Sequence, residues 1–151
     1  MTNGGDRTAL PWDTIRPPGK ILVLDAQTGA ILAEAKVPDG RETYCSPIIQ
    51  DLKGNGSMQV IFGTGGETIG GGIWVAELTE VMQNDISNAV LLAADNGKGF
   101  IAPASVADLN NDGTLDIVAQ SYGGTIYAFD GSNYNTMWQV NIPGTESSSE
   151  P

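Results

Sequence analysis

The fold is decided by a stretch that the chain uses twice. Residues 108–118 read Asp-Leu-Asn-Asn-Asp-Gly-Thr-Leu-Asp-Ile-Val, and residues 51–61 read Asp-Leu-Lys-Gly-Asn-Gly-Ser-Met-Gln-Val-Ile. The offset between them is a constant 57 residues, the apolar positions coincide, and a glycine pair follows each copy. A repeat of this length indicates one supersecondary unit that is used twice.

A second repeat marks the strands. Residues 19–25 match residues 124–130, and residues 72–76 form a looser third copy. Each is a short β-branched and aromatic run that begins at a glycine, which is typical of an inner strand. For the last unit the pattern predicts strands near residues 103–107, 115–121, 124–129 and 136–142.

The other two units are variations on this one. The middle unit predicts a helical turn over residues 77–85 and a strand near residues 89–94, and the first unit predicts only two strands, at residues 20–24 and 31–37. Four antiparallel strands in about 40–57 residues is the size of a propeller blade. The predicted fold class is therefore all-β, a partial β-propeller of about two and a half four-stranded antiparallel blades.

The domain organisation follows from the same units. Residues 1–18 are expected to form an irregular N-terminal arm that Trp12 pins to a surface. The blades occupy residues 19–142, and the polar tail at residues 143–151 is predicted to be disordered. The blade region divides into a half blade at 19–43, a blade with a degenerate loop at 44–99 and a blade with a calcium loop at 100–142.

The composition of the chain excludes several classes of partner, catalytic site and membrane segment. The chain of 151 residues has a formal net charge of −11, which argues against nucleic acid or an anionic membrane surface as a partner. It contains no histidine, so Ser-His-Asp chemistry and histidine-bearing zinc sites are excluded. No apolar run reaches the ~18 residues that a membrane span needs.

The single cysteine and the N-terminus give two further expectations. Cys45 cannot form an internal disulfide, and it lies among strand-like residues, so a buried small side chain is favoured over a nucleophile. The first seven residues have no apolar segment of a secretory signal. The chain is accordingly either cytoplasmic or a piece of a longer exported protein.

The loop at residues 108–116 has the donor pattern of a calcium site. In such a loop, positions 1, 3 and 5 supply side-chain oxygens, position 7 a backbone carbonyl, and a glycine at position 6 permits the turn. The predicted ligands are Asp108, Asn110, Asp112, Thr114 and Asp116. Ala119 stands where an EF-hand has its bidentate glutamate. The alternative is a connection rich in Asx turns that needs no ion.

The copy at residues 51–59 departs from this pattern. Lys53 and Gln59 occupy positions where the last unit has oxygen donors. An ammonium at Lys53 can pair with Asp51 in place of an ion. The sequence therefore predicts no metal in this loop.

Two family resemblances rest on these residues. The stretch from Asp108 to Val118 resembles the calcium loop of FG-GAP or VCBS repeats, the blade units of integrin-type β-propellers. Residues 21–29 and 126–131 resemble the blade ends of PQQ-like propellers. Ala33 replaces the tryptophan of that second motif, and residues 133–134 replace its threonine and glycine, which weakens any inference of a quinone cofactor.

The resemblances imply a calcium-stabilised propeller segment that serves as a non-catalytic binding, adhesion or assembly scaffold of an exported protein. Its location would be extracellular, periplasmic or at the cell surface, and its partners would be other blades, the rest of the same chain or other protein chains in an oligomer or larger assembly. One alternative is a fragment of a quinoprotein or polysaccharide-active enzyme with its catalytic blades elsewhere. Another is a carbohydrate-binding module whose sugar platform uses Trp74, Trp138, Tyr122 and Tyr127.

Overall fold

The computed structural model describes residues 1–3, 8, 10, 13, 17–149 and 151. Trp12 and most of the predicted arm lie outside the described residues. The elements in chain order are β1 Thr2–Asn3, β2 Lys20–Leu24, β3 Ile31–Lys36, β4 Ile48–Gln50, β5 Gln59–Gly63, β6 Gly71–Glu77, α1 Leu78–Met82, β7 Val90–Asp95, β8 Ser105–Ala107, β9 Asp116–Gln120, β10 Thr125–Phe129 and β11 Thr136–Asn141.

The strands form three antiparallel sheets, so the all-β prediction is confirmed. The first sheet has the order β1-β2-β3, the middle sheet β4-β5-β6-β7 and the last sheet β8-β9-β10-β11. In the middle and last sheets each strand pairs with the next strand along the chain, as a meander requires. The strands lie where β-branched and aromatic residues cluster between glycine-rich and Asx-rich turns.

The first sheet contains a strand that the sequence did not predict. β1 pairs with β2 through Thr2↔Ile21 and Asn3↔Lys20. The Met1 ammonium donates to the Leu22 carbonyl at 3.0 Å. A two-residue strand has no periodicity to detect; it forms because the edge of β2 offers unpaired backbone groups. β1 thus has the same position relative to β2 in the first sheet as β5 has relative to β6 in the middle sheet.

The repeat is visible in the strand pairing as well as in the sequence. In the first sheet Ile21 pairs with Ala35 and Val23 with Ala33. In the last sheet, 105 residues further along, Ile126 pairs with Val140 and Ala128 with Trp138. Both pairs of strands also have a register shift at the equivalent place, after Val23 and after Ala128. The same hairpin is therefore built twice.

The three sheets pack through two separate apolar clusters. One joins the first and middle sheets, and its fully buried members include Ala35, Val60 and Phe62. The other joins the middle and last sheets and includes Ile73 and Phe129. Because side chains alternate along a strand, β5 directs Val60 and Phe62 to one cluster and Ile61 to the other. The middle sheet is thus covered on both faces.

The end of the chain runs back across the last sheet. The Ser147 N–H donates to the Tyr122 carbonyl at 3.2 Å, and the Gln120 amide donates to the Ser149 carbonyl. The Ser105 hydroxyl donates to the Pro151 carbonyl at 3.0 Å. These contacts place the described tail residues beside β8 and β9.

Candidate functional site

The loop at residues 108–116 is closed by its own side-chain oxygens. The two carboxylate oxygens of Asp108 accept the N–H groups of Asp112, at 3.2 Å, and Gly113, at 3.0 Å. Asn110 Oδ1 also accepts the Asp112 N–H, at 2.9 Å. Asp112 Oδ1 accepts the Thr114 N–H at 2.7 Å. Asn110 and Asp112 therefore form two successive Asx turns, and Asp108 closes the loop around them.

Asp116 anchors this loop from below. Its side chain is fully buried, with 0 % exposure. One carboxylate oxygen accepts the Leu109 N–H at 2.9 Å, and the other accepts the Gly131 N–H at 3.0 Å. Asp116 therefore ties the start of the loop to the turn that follows β10. Asp116 is thus buried, whereas Asn110 and Asp112 are exposed.

The loop at residues 51–59 repeats four of these hydrogen bonds. Asp51 accepts the N–H groups of Asn55, at 3.1 Å, and Gly56, at 2.7 Å. Asn55 Oδ1 accepts the Ser57 N–H at 2.9 Å. Gln59 takes the place of Asp116, and its Oε1 accepts the Leu52 N–H at 3.1 Å. The Gly56 N–H is the main cause that lowers the pKa of the Asp51 carboxyl.

The predicted ion pair between Lys53 and Asp51 is wrong. Its ammonium does not pair with Asp51 among the described ion pairs; it lies over the Tyr134 ring, 5.3 Å from the centroid. The Asp51 carboxylate is already held by backbone N–H groups, and an aromatic face attracts a cation at this distance. Lys53 thus links the middle sheet to the last one instead of closing its own loop.

The donor set at residues 108–116 suits calcium chemically. Each bonded carboxylate oxygen of Asp108 accepts a backbone N–H and retains a second lone pair. The Asn110 amide N–H₂ donates to Asp112 Oδ2 at 3.0 Å, so these two side chains bond to each other. Among the described residues no group of three or more Asp, Glu, Cys or His side chains is arranged to hold a metal ion. The five ligands remain a prediction.

The turn between β2 and β3 recurs between β10 and β11. The Thr28 hydroxyl, followed by the N–H groups of Thr28 and Gln27, lowers the pKa of the Asp25 carboxyl. In the last sheet the Ser132 hydroxyl and N–H do the same for Asp130. Both carboxylates are thereby held in the charged form that caps the turn.

Tyr134 occupies the place that Gly29 has in the first of these turns. Gly29 has a φ of +71° and Tyr134 a φ of +65°, and a tyrosine in this region costs about 1–2 kcal/mol. The Tyr134 ring packs against the cluster between the middle and last sheets, which offsets that cost. Its buried hydroxyl has no hydrogen-bond partner among the residues that the structure describes. The packing of this ring therefore compensates for the absence of glycine at this position of the turn.

The sequence did not single out Thr64, which is a buried hydrogen-bond centre. Its hydroxyl donates to Asp39 at 2.5 Å and accepts the Gly72 N–H at 2.9 Å and the Trp74 indole N–H at 3.2 Å. These contacts fasten the turn between β5 and β6 to the connection that follows β3. A threonine before a glycine pair was the only sequence signal for this role.

The aromatic side chains of the expected sugar platform do not share one surface. Trp74 packs against the cluster between the first and middle sheets. Tyr127 stacks on Phe129 at a centroid distance of 5.8 Å in the other cluster. The Tyr122 hydroxyl donates to Glu146 at 3.0 Å, whereas Trp138 is 44 % exposed. Two of the four rings thus fill the spaces between sheets.

Cys45 is buried, as expected, with 0 % exposure, and its thiol donates to the Ala102 carbonyl at 3.2 Å. Burial raises the pKa of the Cys45 thiol to about 11.

We expect a thiol reagent at pH 8 to react with Cys45 at least about a hundredfold more slowly in the native chain than in the urea-unfolded chain, because the thiolate is the nucleophile. Stopped-flow absorbance measures both rates. Equal rates would mean that Cys45 is accessible.

Comparison of the chain with protein-family models, with characterised proteins and with solved structures finds no match. Among the described residues no helix has the length and apolar character needed to cross a lipid bilayer. The repeated loop and the stacked sheets are therefore the basis for the functional argument.

Proposed function

We propose that the chain is a segment of a β-propeller-type protein that serves as a non-catalytic scaffold for binding or assembly, with one calcium ion held by the loop at residues 108–116. Each sheet would act as a blade, and the scaffold would belong to an exported protein. The observation that supports this most is the repetition of one unit, with four of the same loop hydrogen bonds and the same strand pairing, in sheets that stack face to face.

The polar side chains support a scaffold in a second way. Asp51, Asp108, Asp116 and Thr64 each accept two backbone or indole N–H groups and so hold turns and connections in place. Several exposed apolar side chains, in contrast, lie on the edge strands β3, β7 and β11, where a partner chain could cover them.

In the proposed calcium site, Asp108, Asn110 and Asp112 would supply side-chain oxygens and Thr114 its carbonyl. Asp116 would add its negative charge from beneath the loop. The ion would neutralise carboxylates that lie close together, and so fix the connection between β8 and β9.

Thermal unfolding with calcium and with chelator tests the ion. Calcium at about a hundred times its dissociation constant stabilises the folded chain by about 2.7 kcal/mol, which raises the melting temperature by several degrees. Asp108→Asn is expected to abolish this response. Asp51→Asn, the same change in the copy without the full ligand set, is expected to leave it intact. An unchanged melting temperature on chelation of the wild-type chain would refute the calcium site.

A further inference from the structure

A backbone hydrogen bond joins the loop at residues 108–116 to the loop at residues 51–59 in the neighbouring sheet. The Leu115 N–H donates to the Leu52 carbonyl at 2.8 Å. Leu52 is fully buried, with 0 % exposure, in the cluster between the middle and last sheets, and Leu115 packs against the same cluster. The two loops therefore meet where their sheets stack.

Leu52 is held in this contact by its backbone and by its side chain. Its N–H donates to Gln59 Oε1 at 3.1 Å, and its carbonyl accepts the Leu115 N–H. The next residue, Lys53, lies over the Tyr134 ring of the last sheet. Because Leu52 is fixed at its N–H, its carbonyl and its side chain, a displacement of Leu115 also displaces the loop at residues 51–59.

The Leu115 N–H belongs to the same peptide unit as the Thr114 carbonyl, which is the predicted backbone ligand of the calcium ion. This unit is trans, so it is planar and its N–H and C=O groups point in opposite directions. When the N–H points to Leu52, the Thr114 carbonyl points away from the middle sheet. One rigid group thus joins a predicted ligand atom to the neighbouring sheet.

We propose that the Thr114–Leu115 peptide unit couples the ion site at residues 108–116 to the loop at residues 51–59, so that calcium in the last sheet strengthens its contact with the middle sheet. This inference rests on the proposed function and names a regulation of its ion site. Groups that are bonded in a chain polarise one another. A cation on the Thr114 carbonyl therefore makes the Leu115 N–H a stronger donor to Leu52.

The coupling involves two states of the loop at residues 108–116. In the docked state the bond to Leu52 fixes the plane of the Thr114–Leu115 peptide unit, as in this structure. In the undocked state the Leu115 N–H bonds to water and the plane is free to turn. Calcium binds the docked state more tightly, because the Thr114 carbonyl is already oriented. Coupling between sites is reciprocal, so a change that weakens docking at Leu52 weakens calcium binding by the same factor.

Isothermal titration calorimetry of the full chain with calcium tests this reciprocal effect. Leu52→Ala removes the side chain that seats Leu52 in the cluster, and it changes none of the five predicted ligands. It is expected to raise the dissociation constant for calcium by about tenfold. Val81→Ala is the matched control, because it also truncates a fully buried side chain, but in the cluster between the first and middle sheets. It is expected to leave the dissociation constant unchanged.

Nuclear magnetic resonance of the wild-type chain gives a second measurement, which needs no substitution. The scalar coupling between the Leu115 nitrogen and the Leu52 carbonyl carbon reports the strength of their hydrogen bond. Calcium is expected to increase this coupling and to move the Leu115 amide proton downfield. The bond from the Thr64 N–H to the Gly72 carbonyl, in the turn at the opposite end of β5, is expected to keep its coupling.

Two results would overturn the proposal: equal dissociation constants for Leu52→Ala and Val81→Ala, or a Leu115 coupling that calcium leaves unchanged. If the wild-type chain still binds calcium, either result removes the coupling and retains the ion site. A wild-type chain that binds no calcium would refute the ion site, and the coupling with it.

Circular dichroism checks that both variants fold, and Lys53→Ala repeats the titration if Leu52→Ala does not. Loss of the Lys53 cation would by charge alone tighten calcium binding, whereas loss of its contact with Tyr134 weakens docking. Weaker calcium binding by Lys53→Ala would therefore support the coupling, and equal or tighter binding would contradict it.

Discussion

Replacement of Gly131 by alanine is expected to destabilise the fold by about 3 kcal/mol or more. A Cβ atom built at this position would overlap the carbonyl oxygen of Leu115, in the loop beneath. That oxygen belongs to the backbone and has no flexible end to move aside. Any shift of residue 131 also breaks its N–H bond to Asp116, which is 3.0 Å long. Urea unfolding followed by circular dichroism measures the loss.

Gly97→Ala is the matched control for this substitution. A Cβ at Gly97 would meet only Asp95 Oδ1, at 3.8 Å, which is an ordinary contact. Its unfolding free energy is expected to change by less than about 0.5 kcal/mol. The 105-residue repeat gives a second comparison, since Ala26 stands at the place of Gly131 in the first sheet. Equal stabilities of the two variants would show that the loop and the turn are not in close contact.

Asp116→Ala is expected to cost about 3–5 kcal/mol, because it leaves one partly buried and one buried N–H group without an acceptor. These belong to Leu109 and Gly131, and both bonds end on a carboxylate that is 0 % exposed. Asp116→Asn is expected to lower the unfolding free energy less, since the amide oxygen can still accept one of the two N–H groups. The measurement is made in chelator, so that any bound calcium does not contribute to the difference.

Asp112→Ala provides the control for Asp116→Ala. Asp112 is also a predicted ligand, yet it is exposed and its Oδ1 accepts a single backbone N–H, from Thr114. In chelator its loss is expected to cost about 1 kcal/mol. If both variants were equally stable, Asp116 would not be the anchor of the loop. If calcium then stabilised neither variant but did stabilise the wild type, both residues would act as ligands.

The regular strands could be predicted because each is long enough to show a pattern. β5 and β9 follow the acidic loops at the same distance, and the glycine pairs mark where they end. β1 could not be predicted, since two residues have no period. The sheet order followed from the short connections, which favour pairing between neighbours in sequence.

The candidate site was predicted less completely than the strands. The residue types at 108–116 indicated which side chains point into the loop, and the structure has most of them bonded to backbone N–H groups. The sequence could not indicate that Asp116 is buried while Asp112 is exposed, because burial depends on the turn after β10. The position of Lys53 was missed for a similar reason. Its partner Tyr134 is 81 residues away, in another sheet.

The two separate apolar clusters have a consequence for the way this chain loses its structure. The middle sheet contributes one face to each, so the first sheet can detach while the other cluster remains intact. In such an arrangement stability is a sum of nearest-neighbour terms, as in a solenoid, and cooperativity falls with distance along the stack. The chain is thus built to open from its two outer sheets inward, with the middle sheet the last to lose protection against hydrogen exchange.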